Sequence, residues 1–157
     1  MKKAGTLDPN KTYQKLPDRR EPIGLFVSPS QYIQGWGVID ILGEYLSLCV
    51  SGGVGVVITP GRHRILGARI EKSLSDAGLS AAHTIFQGES TLVEAERIAA
   101  FFRKSGQPVN ALVGVGGGKC LDAARMAASR LAVPVVTVPT TASTDAPTAA
   151  HAVIYNE

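Results

Sequence analysis

The sequence predicts a doubly wound α/β fold with a mostly parallel β-sheet, and three observations support this prediction. Short apolar runs rich in Val and Leu, the pattern of buried parallel strands, recur along the chain. Segments with apolar residues at helical spacing separate these runs. Between residues 111 and 145, an apolar run, a glycine turn, a helical segment and a second run make a βαβ unit, because parallel strands need a crossover.

The individual elements follow from the same patterns and from turn residues. Strands are predicted at Ile23–Val27, Val54–Ile58, His83–Phe86, Ala111–Val115 and Val135–Val138. Helices are predicted at Val38–Leu48, Ile65–Ala77 (with Gly78 as its C-terminal cap), from Thr91 to Lys104 and at Cys120–Leu131. Thr91 and Glu94 match a capping box. Trp36 is expected to be a packing anchor.

Composition describes a globular chain of one domain. The chain has 157 residues, of which 45% are hydrophobic, and no apolar run approaches the ~20 residues of a membrane span. The charged N-terminus lacks the apolar segment of a secretory signal. Cys49 and Cys120 are too few and too separated for a disulfide framework, which favours a reducing cytoplasm.

The net charge of +3 comes from the N-terminus alone. Residues 1–21 contain six basic and three acidic side chains, and the rest of the chain is balanced at ten against ten. We therefore expect residues 1–22 to be a solvated, mobile basic tail, followed by one α/β domain over residues 23–157. No basic patch with aromatic or polar readers is visible, so a nucleic-acid partner is not expected.

The glycine turn is the strongest candidate site. Without Cβ atoms, Gly116, Gly117 and Gly118 allow a phosphate to approach the backbone, and the following helix N-terminus favours an anion. Lys119 adds a full positive charge. A P-loop would need Gly and Ser or Thr where the chain has Val113 and Cys120, and the dinucleotide pattern G-x-G-x-x-G would need glycine at position 119. A glycine-rich turn without a ligand remains the alternative.

Two acids near this turn have a structural and a functional interpretation. Asp122 falls in the first helical turn, where the helix dipole stabilises a carboxylate. Asp145 lies in a loop whose Thr and Ser side chains offer many hydroxyl donors and acceptors, and the alternative is that the loop caps its own backbone. The three histidines lie in different elements without metal-ligand spacing, and no Cys-x-x-Cys is present, so no metal site is expected.

Several segments together resemble a known family. GVGGGKCLDAAR, VPTTASTDAP, VIY and residues 28–46 (SPSQYIQGWGVIDILGEYL) are similar to the N-terminal cofactor-binding domain of the glycerol dehydrogenases, within the metal-dependent, iron-type alcohol and polyol dehydrogenases. EKSLSDAGL and FQGES also match. The resemblance extends from about Ile23 to the end of the chain and implies NAD(P)-dependent oxidation of a small polyol, such as glycerol to dihydroxyacetone.

The resemblance also implies roles for individual residues. Asp145 would contact a substrate hydroxyl. The nicotinamide dinucleotide would be contacted by Gly116, Gly117, Gly118, Lys119, Asp122, Thr140, Ser143 and Tyr155. Ala149 and His151 depart from the family pattern, which puts contacts there in doubt.

Thr59 is a third departure, and it bears on the choice of nucleotide. By alignment, it stands where relatives carry an Asp that accepts hydrogen bonds from the adenosine ribose. With that acid missing and Arg62 and Arg64 close behind, the 2′-phosphate of NADP would meet less repulsion. The alternative is that the two arginines only cap a surface turn.

The family pattern places its metal, zinc or another divalent ion, in a second, helical domain. The Asp and two His that hold it there have no counterpart up to Glu157. Two interpretations stay open: a partial enzyme chain with a missing C-terminal half, or a non-catalytic nucleotide-binding module. A downstream reading frame encoding two histidines on a helical domain would favour the first. An apolar strand predicted at Ala152–Tyr155 would promote self-association.

Overall fold

A parallel four-stranded sheet forms the centre of the molecule in a computed structural model that describes residues 30–156. Its strands, in the spatial order β2-β1-β3-β4, are β1 (Gly53–Ile58), β2 (Ser80–Ile85), β3 (Val109–Gly116) and β4 (Val135–Pro139). A 3₁₀ turn at Val38–Ile41 precedes the helices α1 (Leu42–Ser47), α2 (Pro60–Asp76), α3 (Leu92–Arg103) and α4 (Gly118–Leu131). The predicted α/β fold with a parallel sheet is confirmed.

Helices cover both faces of the sheet. Successive strand residues point to opposite faces, so Val56 and Val57 of β1 enter different cores. On one face, α1 and α2 contribute Leu46, Ile70 and Leu74, which pack with Val54, Val56, Ile58, Val113 and Val115. On the other face, α3 and α4 contribute Ile98, Phe102, Ala124 and Ala127, which pack with Val57 and Leu112.

Burial differs between the inner and the outer strands. Every residue of β1 is buried, as are the six residues Ala111–Gly116 of β3, whereas β2 and β4 are mostly half-buried. Full burial on both faces explains why the inner strands are continuous apolar runs without polar alternation.

The chain order places a crevice between β1 and β3. The connection from β1 leads to β2 on one side, whereas the connection from β3 leads to β4 on the other side. Such a reversal opens a crevice at the carboxyl ends of the two strands, where ligands bind in open α/β sheets. Thr59, directly after β1, donates its backbone N–H to the Val115 carbonyl of β3 at 3.2 Å, so both strand ends meet here.

Several predicted boundaries shift: β2 begins at Ser80 and not at His83, β3 at Val109 and not at Ala111, and α4 at Gly118 and not at Cys120. Other predictions differ locally. Helix α2 begins at Pro60 and not at Ile65, because proline at the first helical position needs no acceptor for an N–H. The helix predicted over Val38–Leu48 is divided into the 3₁₀ turn and α1. Only half of the capping box forms: Thr91 accepts from the Glu94 amide at 3.1 Å, while the Glu94 carboxylate accepts from Gln87 and Arg97.

Two further predictions are wrong, and two lie outside the described residues. The Trp36 side chain is fully exposed and anchors no packing. Ala152–Tyr155 forms no strand. The tail over residues 1–22 and the strand Ile23–Val27 fall outside the part that the structure describes. Within residues 30–156, no helix is both long enough and apolar enough to cross a membrane.

Candidate functional site

The glycine turn joins β3 to α4 at the crevice. Gly117 is the N-cap of α4 with an extended backbone and no side-chain cap, and its carbonyl accepts from the Leu121 amide at 3.1 Å. The first N–H groups of a helix have no intrahelical acceptor, so this uncapped end presents donors and a partial positive charge. The turn can therefore hold an anion at the carboxyl end of the sheet.

The three glycines differ in how much space surrounds them. A Cβ atom on Gly116 would lie 2.7 Å from Cys120 Cβ and 2.9 Å from Thr59 Cγ2. A Cβ on Gly118 would lie 2.7 Å from the hydroxyl of Thr144. At Gly117 the nearest atom, a methyl carbon 3.5 Å away, is at ordinary contact distance. Packing alone therefore requires glycine at 116 and disfavours a side chain at 118, whereas at Gly117 packing leaves room for one.

Cys120 occupies the position where a P-loop would carry a hydroxyl. Its side chain is buried in the core, with Sγ 3.6 Å from the Val115 carbonyl, and burial raises the pKa of the thiol to about 12. The thiol therefore faces away from the crevice and stays protonated near neutral pH.

Lys119 is paired with an acid that the sequence did not single out. Its Nζ donates to Glu89 Oε2 at 2.7 Å and lies 4.9 Å from the centre of the Tyr155 ring. The hydrogen bond is the main reason that the pKa of Lys119 is raised and the pKa of Glu89 is lowered. Both side chains are about half exposed, so this pair is open to exchange with a bound anion.

Tyr155 reaches Lys119 because the C-terminal segment is tied to the loop before α3. The Tyr155 amide donates to the Ser90 carbonyl at 2.9 Å, and the Ser90 hydroxyl donates to the Val153 carbonyl at 2.9 Å. The structure thus places two of the predicted site residues, Lys119 and Tyr155, next to each other, and it places Glu89 beside Lys119.

Thr59 lies across the crevice from these residues. It is the N-cap of α2, its side chain makes no capping hydrogen bond, and the residue is half-buried. Arg62 and Arg64 follow on the first turns of the same helix, and both are exposed. An anionic group beside Thr59 would therefore meet a helix N-terminus with two cationic side chains nearby.

The first residue of the loop after β4 contacts the glycine turn. The Thr140 amide donates to the Gly116 carbonyl at 2.9 Å, and the hydroxyls of Thr141 and Ser143 lie 3.4 Å apart. The Asp145 side chain is exposed, while its carbonyl accepts from the amides of Thr148 and Ala149. An open cleft of about 530 Å³ adjoins the loop and is lined by Tyr32, Pro139, Thr140, Thr141, Ala142, Thr144, Pro147 and Thr148.

Asp122 lies in the second turn of α4 and not in the first turn as predicted, because the helix already begins at Gly118. Its side chain is buried and is engaged by Arg125, a residue that the sequence did not single out. Arg125 Nη1 donates to Asp122 Oδ1 at 2.7 Å and to the His151 carbonyl at 3.0 Å, and Nη2 donates to the Ala146 carbonyl. The i, i+3 spacing of an acid and a base was the available signal. The predicted cofactor contact of Asp122 stays a prediction.

The histidines do not build a metal centre in the part that the structure describes. The His63 and His83 rings lie 5.9 Å apart, a proximity that the sequence did not predict, and His83 Nε2 lies 2.6 Å from Glu71 Oε2. Within residues 30–156, no group of three His, Cys, Asp or Glu side chains could hold a metal ion. The residues described thus do not fit the metal that the resemblance implies.

Comparisons with known proteins agree with the motifs. Glycerol dehydrogenase from Escherichia coli O6:H1 is 41% identical over 133 residues, covering 83% of this chain and 35% of that protein. Glycolaldehyde reductase from Halobacterium salinarum is 35% identical, covering 85% and 36%. The crystal structure of glycerol dehydrogenase from Schizosaccharomyces pombe superposes with a TM-score of 0.77 at 30% identity, covering 87% and 34%.

The matched region includes both the glycine turn and the loop after β4. The chain spans about a third of the length of these relatives, namely their N-terminal part. The sequence profile described as "Iron-containing alcohol dehydrogenase" matches residues 29–157. This match covers every residue that the structure describes. The chain therefore belongs to the iron-containing alcohol dehydrogenase family.

Proposed function

We propose that this chain is the dinucleotide-binding part of a glycerol dehydrogenase-like oxidoreductase, which oxidises a small polyol such as glycerol to dihydroxyacetone with NAD or NADP. The observation that carries the proposal is the uncapped glycine turn at the crevice between β1 and β3. The glycerol dehydrogenases among the relatives support the substrate class.

The pyrophosphate of the dinucleotide would lie on the turn from Gly116 to Lys119. The helix N-terminus supplies N–H donors there, Gly117 leaves space for an approaching phosphate, and Lys119 supplies a charge. Tyr155 and the first residues after β4, Thr140 and Ser143, would border the same dinucleotide. A dinucleotide held by these residues would supply the hydride acceptor for oxidation of the alcohol.

The polyol would lie in the cleft beside the loop after β4. The threonines that line the cleft offer hydroxyl donors and acceptors. Asp145 does not line the cleft, but it follows the lining residue Thr144 directly, and its exposed carboxylate can accept hydrogen bonds from substrate hydroxyls. These residues would orient the alcohol; none of them is assigned a proton-transfer role.

The adenosine end of the nucleotide would lie at Thr59. Without a carboxylate at this position, and with Arg62 and Arg64 nearby, the site accepts a 2′-phosphate more readily than a site with an acid. We propose the cytoplasm as the compartment, since Cys49 and Cys120 are both free thiols.

Calorimetric titration of the purified chain with NADH and, separately, with NADPH tests the proposal. We expect saturable binding of at least one of them, and weaker binding by about tenfold in Lys119→Met, because a charge-assisted contact with the pyrophosphate is lost. Lys72→Met is the matched control: Lys72 is likewise exposed and paired, with Asp76 at 2.6 Å, but lies away from the turn on α2. Absence of binding, or equal weakening by both substitutions, would refute the proposed site.

A further inference from the structure

We propose that Arg125, oriented by Asp122, is a positioning residue that fixes the Asp145 loop against the helix carrying the glycine turn. The inference rests on the proposed function for its consequence, since this loop would face the polyol. Its structural part, the attachment of the loop to α4, stands on the contacts alone.

The guanidinium of Arg125 bonds to both ends of the segment that directly follows Asp145 in the loop. One end is the Ala146 carbonyl, bound by Nη2, and the other is the His151 carbonyl, bound by Nη1 at 3.0 Å. Between these ends, the amides of Thr148 and Ala149 donate back to the Asp145 carbonyl at 2.9 and 3.0 Å. The segment is otherwise irregular, and apart from these bonds its Pro147 carbonyl accepts from the Thr137 hydroxyl of β4 at 3.2 Å. The Arg125 bonds are therefore a main attachment of the backbone that carries Asp145.

Burial makes this attachment strong. The side chains of Arg125 and Asp122 are only 14% and 9% exposed, in contrast to the half-exposed ion pair of Lys119. Removing one member of a buried ion pair leaves the other charge uncompensated, which is costly. Ala146 is also buried, so the loop cannot leave α4 without exposing apolar surface and breaking the guanidinium bonds at once.

Asp122 acts through Arg125 in this arrangement. Its carboxylate accepts from Nη1 at 2.7 Å, three residues earlier on the same helix, and thereby selects the side-chain conformation that reaches the loop. The pair therefore links the predicted pyrophosphate end of α4 to the predicted polyol loop, and Gly118 reinforces the link by its close approach to Thr144.

Hydrogen exchange of the loop amides, measured without any ligand, tests the positioning role. In Arg125→Met we expect the amides of Thr148 and Ala149 to exchange about tenfold faster or more, because the loop opens locally, while the amides of β1 and β3 are unchanged. Arg125→Lys keeps the charge and should restore part of the protection. Arg130→Met is the matched control, since Arg130 lies on the same helix but pairs with Glu96 at 3.1 Å.

Two comparisons separate this inference from the proposed function. Asp122→Asn should speed exchange at the same amides. The double variant Asp122→Asn, Arg125→Met should exchange little faster than the single variant with the larger effect, because the two residues act as one unit. Unchanged loop exchange in Arg125→Met, equal acceleration by Arg130→Met, or no gain in protection with Arg125→Lys would overturn the inference.

Titration with NADH supplies the remaining outcome. In Asp122→Asn, we expect any loss of dinucleotide affinity to be accompanied by faster exchange of the loop amides, because the Asp122 carboxylate acts through Arg125. A large loss of NADH affinity with loop exchange unchanged would show a direct cofactor contact and refute the positioning role. If the unsubstituted chain binds no dinucleotide, the proposed function fails, while the exchange data still decide whether Arg125 holds the loop.

Discussion

The β1–β3 crevice and the loop after β4, which we propose form one site, are stabilised in different ways. The crevice is formed by strands that are buried on both faces and by a helix that begins at glycines. The loop is irregular, and side chains far away in the sequence hold it through its carbonyls. A site can thus combine one half fixed by regular packing with another half fixed by a few long-range polar contacts.

The largest expected effect concerns the reaction itself. The described residues contain the crevice that we propose binds the dinucleotide, but no group of three or more side chains that could hold a metal ion. We therefore expect the 157-residue chain to oxidise glycerol at least about a thousandfold more slowly than a metal-dependent relative, because a Lewis acid stabilises the alkoxide by several kcal/mol. Glycerol-dependent reduction of NAD and NADP, with and without zinc, measures this. Fast turnover that a chelator abolishes would contradict the expectation.

The next effect separates packing from ligand binding within the glycine turn. Gly116→Ala should lower the free energy of unfolding by about 1–3 kcal/mol, since its Cβ would overlap Cys120 and Thr59 in a packed interior. Gly117→Ala should change stability by less than about 0.5 kcal/mol, because its surroundings are open, and should weaken dinucleotide binding instead.

Urea unfolding and dinucleotide titration of both variants provide the comparison. If Gly117→Ala is as destabilising as Gly116→Ala, or binds NADH as tightly as the unsubstituted chain, the turn is a packing device without the proposed ligand role.

The two halves of the site also differ in how far the sequence predicted them. Strands β1 and β3, the glycine turn and α4 follow from local patterns: an apolar run, glycines, then helical spacing. The contact of Glu89 with Lys119 and that of Arg125 with the loop could not be found in this way, because the partners lie 30 and 21 residues apart and no periodicity connects them. The predicted strand at Ala152–Tyr155 failed for the same reason, since its backbone bonds to Ser90 and not to a neighbouring strand.

A change at Thr59 should alter nucleotide preference on the crevice side alone. Thr59→Asp should shift the affinity ratio towards NAD by about tenfold, because a carboxylate repels a 2′-phosphate and accepts bonds from the ribose. The fold should tolerate the change, since Asp is a favoured N-cap and α2 lacks a side-chain cap. Thr59→Asn, similar in shape but neutral, is the control in titrations with both nucleotides. An unchanged NAD-to-NADP ratio in Thr59→Asp would remove Thr59 from the site.

The smallest expected effect lies where the two halves meet, at the ion pair of Lys119 and Glu89. Glu89 neutralises the charge that would otherwise face the pyrophosphate, so Glu89→Gln should strengthen dinucleotide binding near neutral pH by about two- to fivefold, the range for an exposed pair. Glu96→Gln is the matched control, because Glu96 is an equally exposed acid paired with Arg103 and Arg130.

The pH dependence of this pair has a definite sign. The hydrogen bond from Lys119 lowers the pKa of Glu89 below the ordinary value for a glutamate. The Glu89 carboxylate is therefore ionised at neutral pH, and the ion pair is lost only when the pH falls through this lowered pKa. Protonation of Glu89 frees Lys119, so dinucleotide affinity should rise as the pH falls through that value, and Glu89→Gln should abolish this rise. Calorimetric titrations of the unsubstituted chain, Glu89→Gln and Glu96→Gln across this range measure both effects. Weaker binding in Glu89→Gln would show instead that Glu89 holds Lys119 in the orientation that the dinucleotide needs.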